Sequence, residues 1–290
     1  MLNGRAGALV GREDQAGAIE RAFAAHGQQP LLIPTDAGDL PHRIRLACDS
    51  GAETVVVVGG DGTVACAAQL LAGTKTALGI IPSGTMNLLA RDVGLPIDDL
   101  AAAVGVIVNG HPRAIDVGDV NGHVFLCGSM TGLPTRLARF REASRGNSIV
   151  ATITKLLRPV LRVLAHNRPM RLALEIDGAR RPVLTASMTV TVNQLGDATG
   201  RQFGRDRLDG GVLGVYIFRR LSFLAALRVT VRAWLGRWRG DDAVDEFQVR
   251  SMAVTGRRSR MHVMNDGEVM ALRTPLAYSV RPLALLVVAP

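Results

Sequence analysis

Four consecutive valines, Val55, Val56, Val57 and Val58, run straight into Gly59-Gly60-Asp61-Gly62-Thr63, and the helical apolar pattern Ala65, Ala67, Ala68, Leu70 and Leu71 follows at once. A continuously apolar strand is one buried on both faces, as in a parallel sheet covered by helices. A glycine-rich turn between such a strand and a helix lets backbone N–H groups approach an anion closely, and the helix N-terminus favours negative charge there. Asp61 would repel phosphates unless a cation lies between them, so the turn points to a nucleotide accompanied by Mg²⁺. Taken alone, a G-G-x-G turn also serves as an ordinary βα loop with Thr63 as helix cap.

A second turn of the same kind lies one βα unit on. Residues 77–81 read as a buried strand that ends in Pro82-Ser83-Gly84-Thr85-Met86-Asn87, followed by a short helix through Arg91 and a stop at Gly94-Leu95-Pro96. Adjacent phosphate-type turns at strand C-termini are where open α/β sheets bind ligands. Arg91, one helical turn on, can reach an anion, pair with an acid, or simply face solvent.

Strands and helices alternate through the first part of the chain. Helices are expected over 14–26, 40–49 and 97–108, and strands over 31–35 and 54–58. That is the pattern of a doubly wound α/β domain, assigned to residues 1–119. The remainder, 120–290, is strand-rich: 171–176, 183–193, 214–218, 247–255 and 260–264 alternate or carry β-branched residues, and 274–290 reads as a final apolar strand pair. Asp177-Gly178 and Asp266-Gly267 are hairpin-turn signals. Asp116, closing a strand, reads either as a supporting acid at the domain junction or as a turn residue.

Composition excludes several classes. No Walker A signature is present, which removes P-loop kinases. Cys48, Cys66 and Cys127 are odd in number and scattered, and read as core thiols of a reducing cytoplasm rather than disulfide or zinc ligands. Residues 1–10 lack the basic start and long apolar stretch of a signal peptide, and no apolar run reaches membrane-span length. The net charge of +9 is almost all arginine and concentrates in 136–171 and in an amphipathic helix over 218–239 that carries Trp234 and Trp238. Such a helix either packs on its own domain or lies on an anionic bilayer. With 4% aromatic residues and no recognition motif, nucleic acid is not an expected partner.

Gly60-Asp61-Gly62-Thr63 followed by Pro82-Ser83-Gly84-Thr85-Met86-Asn87 resembles the diacylglycerol kinase catalytic family, which includes bacterial lipid kinases, sphingosine kinases and ceramide kinases and is distantly similar to NAD kinases. Asn3-Gly4-Arg5-Ala6-Gly7 is similar to that family's opening motif, with Gly4 where it has proline, Asp209-Gly210-Gly211 looks like its D-D-G segment, and Asp266-Gly267-Glu268 like its late D-G-E.

The resemblance implies an N-terminal nucleotide-binding domain, a C-terminal β-sandwich, a last strand (about 275–290) that returns to the first domain, and an active site in the cleft between them. It implies an ATP- and Mg²⁺-dependent lipid kinase in which Glu268 accepts the hydroxyl proton, Asp266 supports it and Asp61 organises Mg²⁺. Asn3, Gly7, Thr35, Gly59, Gly60, Gly62, Thr63, Gly84, Thr85, Asn87 and Arg91 would hold the nucleotide; Asp209 with backbone carbonyls would hold a structural metal, or that site is absent because Gly210 replaces a ligand. The acceptor would be a diacylglycerol-like, phosphatidylglycerol-like or sphingoid lipid, reached from the cytoplasm by peripheral association with an anionic membrane surface; a homodimer is left open. Two departures stand out: Leu88 where many members have an acid, and Gly210 where bacterial members have the second Asp. They keep open a non-catalytic nucleotide- or lipid-binding regulator, whereas an NAD kinase fits the second turn and the D-G-E poorly. Convergence of Asp61 and Glu268 on the glycine turns discriminates between enzyme and regulator.

Overall fold

The computed structural model describes residues 15–136, 138, 169–196, 204–205, 207–219 and 242–290. The first part contains α1 (Gln15–Ala24), α2 (Leu40–Asp49), β1 (Thr54–Gly59), α3 (Asp61–Leu71), β2 (Ala77–Pro82), α4 (Leu88–Asp92), α5 (Leu100–Asn109) and β3 (His111–Val120). Local chemistry sets the helix starts. Asp39 accepts from the His42 amide at 2.9 Å ahead of α2, and Asp99 accepts from Ala102 at 2.9 Å ahead of α5. That second cap moves the helix expected from residue 97 to a start at Leu100. Residues 31–35 are not a strand. They lie in an extended stretch that ends in one 3₁₀ turn, Thr35–Ala37.

β1 and β2 pair in parallel, Thr54 opposite Ala77 and Gly59 opposite Pro82. Alternation sends Val55 and Val57 into a core with Ile44 of α2 and Val64, Ala67 and Leu71 of α3. Val56 and Val58 turn to the opposite face, onto Ile19 and Phe23 of α1 and Val104 of α5. Helices on both faces make this part doubly wound.

The second part adds β4 (His123–Phe125), β5 (Gly128–Gly132), β6 (Met170–Ile176), β7 (Ala179–Thr185), β8 (Ser187–Val192), β9 (Leu213–Phe218), β10 (Val244–Val249), β11 (Ser251–Gly256), β12 (Arg260–Asn265), β13 (Glu268–Arg273) and β14 (Leu276–Ala289). One sheet has the order β10-β9-β8-β5-β12-β13. The other runs β1-β2-β14-β11-β6-β7, with β3 and β4 attached through β14. The two sheets enclose a core that includes Leu174, Val190, Val254, Val263 and Tyr278. The apolar runs at 183–193 and 247–255 are each two strands, not one, because the chain changes sheets within them. The Thr185 hydroxyl donates to Ser187 and Phe218 carbonyls at 2.7 Å at the first crossing, and Arg250 separates β10 from β11 at the second.

The expected final strand pair is a single 14-residue strand. Its first half pairs with β11 of the sandwich, and its second half with β2. β3 follows it on the other side, with a register shift between Arg281 and Leu285 and Leu283 at φ +50. The irregularity that would have been a turn is a bulge, pinned by Asp116.

Candidate active site

The two glycine turns are pressed into one. A Cβ built on Gly84 would lie 2.5 Å from the Gly60 Cα and 2.8 Å from Asn87 Oδ1, and Ser83 N–H donates to the Gly59 carbonyl at 3.0 Å. No side chain fits between the strand ends, so the backbone itself forms the wall there. Asn87 braces the second turn from within: its Oδ1 accepts from Gly84 N–H at 3.0 Å and its Nδ2 donates to the Gly84 carbonyl at 2.7 Å. It is buried, with φ +48, so it shapes the loop.

Asp61 opens α3 and ties the turns together. Its two oxygens accept from the amides of Asn87 at 3.0 Å and Leu88 at 2.6 Å, capping α4 from the neighbouring element. Leu88, where an acid was expected, therefore contributes through its backbone. Thr63 is buried, with its side chain against Gly59, and Gly60 is the cap of α3 in its place. Thr35 and Thr85 are exposed. Arg91 is also exposed and donates to the Met86 carbonyl at 2.9 Å, closing its own turn.

The late D-G-E forms a tight hairpin turn between β12 and β13, with Asn265 opposite Glu268 and both Asp266 and Gly267 at positive φ. Asp177-Gly178 makes a turn of the same kind between β6 and β7. The Asp266 carboxylate is what sets the late turn apart. It accepts from the amides of Leu126 at 2.6 Å, Cys127 at 2.8 Å and Gly128 at 3.0 Å. Enclosure pushes its carboxyl above the usual range, opposed by those three donors and by Arg205. Asp266 thus has both oxygens committed to backbone amides. Glu268 is exposed, and its Oε1 reaches over the first glycine turn, 3.6 Å from where a Cβ on Gly62 would stand. Asp61, Glu268 and both glycine turns converge.

A buried ion pair with no signature in the residue pattern joins the two halves. Arg205 Nη2 lies 2.8 Å from Asp92 Oδ2, with the side chains 1% and 7% exposed. Arg205 also donates to the carbonyls of Leu126 and Val192. The Leu126–Gly128 backbone is held by Arg205 through a carbonyl and by Asp266 through its amides. A continuous set of polar contacts therefore runs from Asp61 through α4, Asp92 and Arg205 to Asp266. Cys127 sits inside it, and burial pushes its thiol up.

Asp116 is structural. It is buried and accepts from Asn193 Nδ2 at 3.1 Å, Gly211 N–H at 2.6 Å and Leu283 N–H at 2.9 Å. Asp209 is exposed and pairs with Arg207 at 3.2 Å. A Cβ on Gly210 would come within 2.6 Å of Asn193 Oδ1, so packing explains the glycine there. Among the described residues no group of three or more His, Cys, Asp or Glu is placed to hold a metal. Asn3, Gly7, residues 220–239 with both tryptophans, and most of the basic stretch 136–171 lie outside the described residues.

Residues 1–120 match the diacylglycerol kinase catalytic domain, and residues 138–289 match the YegS C-terminal NAD kinase beta sandwich-like domain. The chain is 25% identical to a diacylglycerol kinase of Bacillus subtilis over 270 residues, 92% of this chain and 88% of that protein. It is 33% identical to a diacylglycerol kinase of Mycobacterium tuberculosis over 192 residues, 63% of this chain and 56% of that one. A Bacillus anthracis structure described as a diacylglycerol kinase covers 95% of its own chain and all of this one, with a TM-score of 0.65 at 17% identity, a likeness of fold.

Proposed function

Because this chain belongs to the diacylglycerol kinase catalytic-domain family and carries its YegS-type C-terminal sandwich, we propose that it is a lipid kinase transferring the γ-phosphate of ATP to a lipid hydroxyl. The observation that carries the reading is the reach of Glu268 Oε1 over the turn at Gly62. It brings a solvent-exposed carboxylate from the sandwich to the wall that suits phosphates. The acceptor oxygen attacks the γ-phosphorus, the bond from that phosphorus to the bridging oxygen breaks, and the hydroxyl proton passes to Glu268. Asp266 holds the turn and Asp61 holds the second cradle against the first.

Each Asp61 oxygen accepts one backbone amide and keeps a further lone pair, so beside the phosphate cradle it would still suit a magnesium ion arriving with the nucleotide. Asp61 would hold it, and it would neutralise charge on the phosphates. The acceptor is a diacylglycerol-like, phosphatidylglycerol-like or sphingoid lipid. Incubation with labelled ATP, NAD and a total bacterial lipid extract, with and without Mg²⁺, followed by mass analysis, tests this reading. A phosphorylated lipid formed only with Mg²⁺ supports it; phosphorylated NAD as the sole product overturns it. Since the substrate lives in a bilayer and no helix among the described residues is long and apolar enough to cross one, the reading carries with it peripheral docking from the cytoplasmic side.

The abutting glycines give a prediction. Gly84→Ala forces a methyl group into the Gly60 backbone, where nothing flexible can yield. The cradle must open, and ATP affinity is expected to fall at least about tenfold, or roughly 1.4 kcal/mol, in isothermal titration. Gly94→Ala, with open space at its Cβ, controls for strain elsewhere: its positive φ costs stability but leaves ATP affinity as it was. Equal affinity in Gly84→Ala and the parent chain would dismiss the cradle.

A further inference from the structure

A cavity of about 790 Å³ opens between the two sheets at the end of the sandwich away from the D-G-E turn. β12 carries Arg260 at this end and Asn265 at the other, so the two sites are separated by roughly 17 Å of strand. We propose that this cavity docks the phosphate headgroups of an anionic phospholipid bilayer, apart from the acceptor site. The proposal rests on the lipid-kinase reading only for the expectation that the enzyme meets a bilayer.

The chemistry of the lining is one-sided. Arg136, Arg171, Arg257, Arg258, Arg260 and His262 face it, and none of the lining residues is an Asp or Glu. Arg171, Arg257, Arg258 and Arg260 are exposed, and no carboxylate among the described residues forms an ion pair with them. Arg260 also stands directly across the β12–β13 ladder from Arg273. Like charges paired across strands destabilise a sheet unless an anion lies between them. Guanidinium forks match phosphate oxygens in pairs, which suits this arrangement to phosphate.

The floor is apolar. Leu172 of β6 and Met261 of β12 approach each other beneath Gly256, whose absent side chain leaves room for the Met261 sulfur at 2.7 Å from a built Cβ. Arginines at the mouth above an apolar floor fit an amphiphile better than a free ion. An exposed apolar side chain argues for the bilayer as the source. Leu184, 56% exposed, lies directly opposite Arg171 on the edge strand β7, which also carries exposed Arg180 and Arg181. Guanidinium groups beside a protruding leucine are what a peripheral protein presents to an interface.

The test uses the full chain and a variant with Arg257→Gln, Arg258→Gln and Arg260→Gln, all exposed positions outside the candidate active site. Cosedimentation is measured with phosphatidylcholine vesicles, with vesicles containing one-third phosphatidylglycerol, and with the latter plus inorganic phosphate at equal phosphate concentration. Each charge near an anionic surface changes partitioning about fivefold, so the triple change is expected to weaken binding to the anionic vesicles about a hundredfold. The matching Lys variant is expected to retain most of it, and inorganic phosphate to compete little. Unchanged binding by the Gln variant, or equal displacement by free phosphate, overturns the proposal. Turnover of a short-chain, water-soluble diacylglycerol is measured alongside and should be the same in both chains. If neither chain phosphorylates it or any lipid of a total bacterial extract while the vesicle contrast persists, the docking site stands and the kinase reading falls.

Discussion

Glu268→Gln is expected to lower phosphoryl transfer about a hundredfold or more while leaving nucleotide binding and stability close to those of the parent chain. The side chain is exposed at the first residue of β13 and makes no hydrogen bond or ion pair among the described residues, so its removal costs the fold little. Its carboxylate is the group that reaches over the turn at Gly62 without being committed to backbone amides, unlike those of Asp61 and Asp266. An amide of the same shape cannot accept the hydroxyl proton, and loss of a positioned base typically removes that much rate. The measurement is single-turnover transfer from labelled ATP to a soluble lipid acceptor, with ATP affinity and the thermal midpoint recorded on the same sample. Near-parent turnover at unchanged affinity would take the proton-accepting role away from Glu268.

The second large effect is on stability. Arg205→Met removes the cation from a pair whose side chains are 1% and 7% exposed and leaves the buried Asp92 charge with only the long backbone contact from residue 205, at 3.4 Å. Breaking such a pair from one side costs about 3–5 kcal/mol, which for a chain of this size is a drop of roughly 10 °C in the melting midpoint. The double variant Arg205→Met with Asp92→Leu leaves no charge behind and is expected to recover more than half of the loss. A single variant as stable as the parent would mean that water reaches Asp92. A double variant as unstable as the single one would locate the effect in the lost Leu126 and Val192 carbonyl contacts.

The nucleotide half was legible because its signals are local. A strand buried on both faces reads as an unbroken apolar run, and β1 and β2 follow the expected spans to within a residue. The turns were legible because glycine is required where backbones meet, as at Gly60 and Gly84. The sandwich was harder. Residues 183–193 pass through a change of sheet with no turn residue to mark it, and at 247–255 the sole mark is the adjacent polar pair Arg250 and Ser251, which slips the alternation by one. The stretch at 31–35 has strand composition without strand pairing. The roles of Asp61 and Asp266 as anchors rather than free acids depended on partners far away in sequence, Asn87 and Leu88 for one and Leu126–Gly128 for the other. Arg205 was invisible for the same reason: an arginine in a basic chain looks solvated until Asp92 is found beside it.

β14 has a consequence for how the protein is made. The strand that lies beside β2, through Val287 opposite Leu78, leaves the ribosome long after β2 itself. At ordinary elongation speeds of about 5–20 residues per second, the roughly 190 residues between them take on the order of 10–40 s to appear. Throughout that interval the nascent nucleotide half carries an open sheet edge, the kind of surface that recruits other strands. The chain therefore cannot complete its first domain until β14 has emerged, and its early product is a natural client for a chaperone at the exit tunnel.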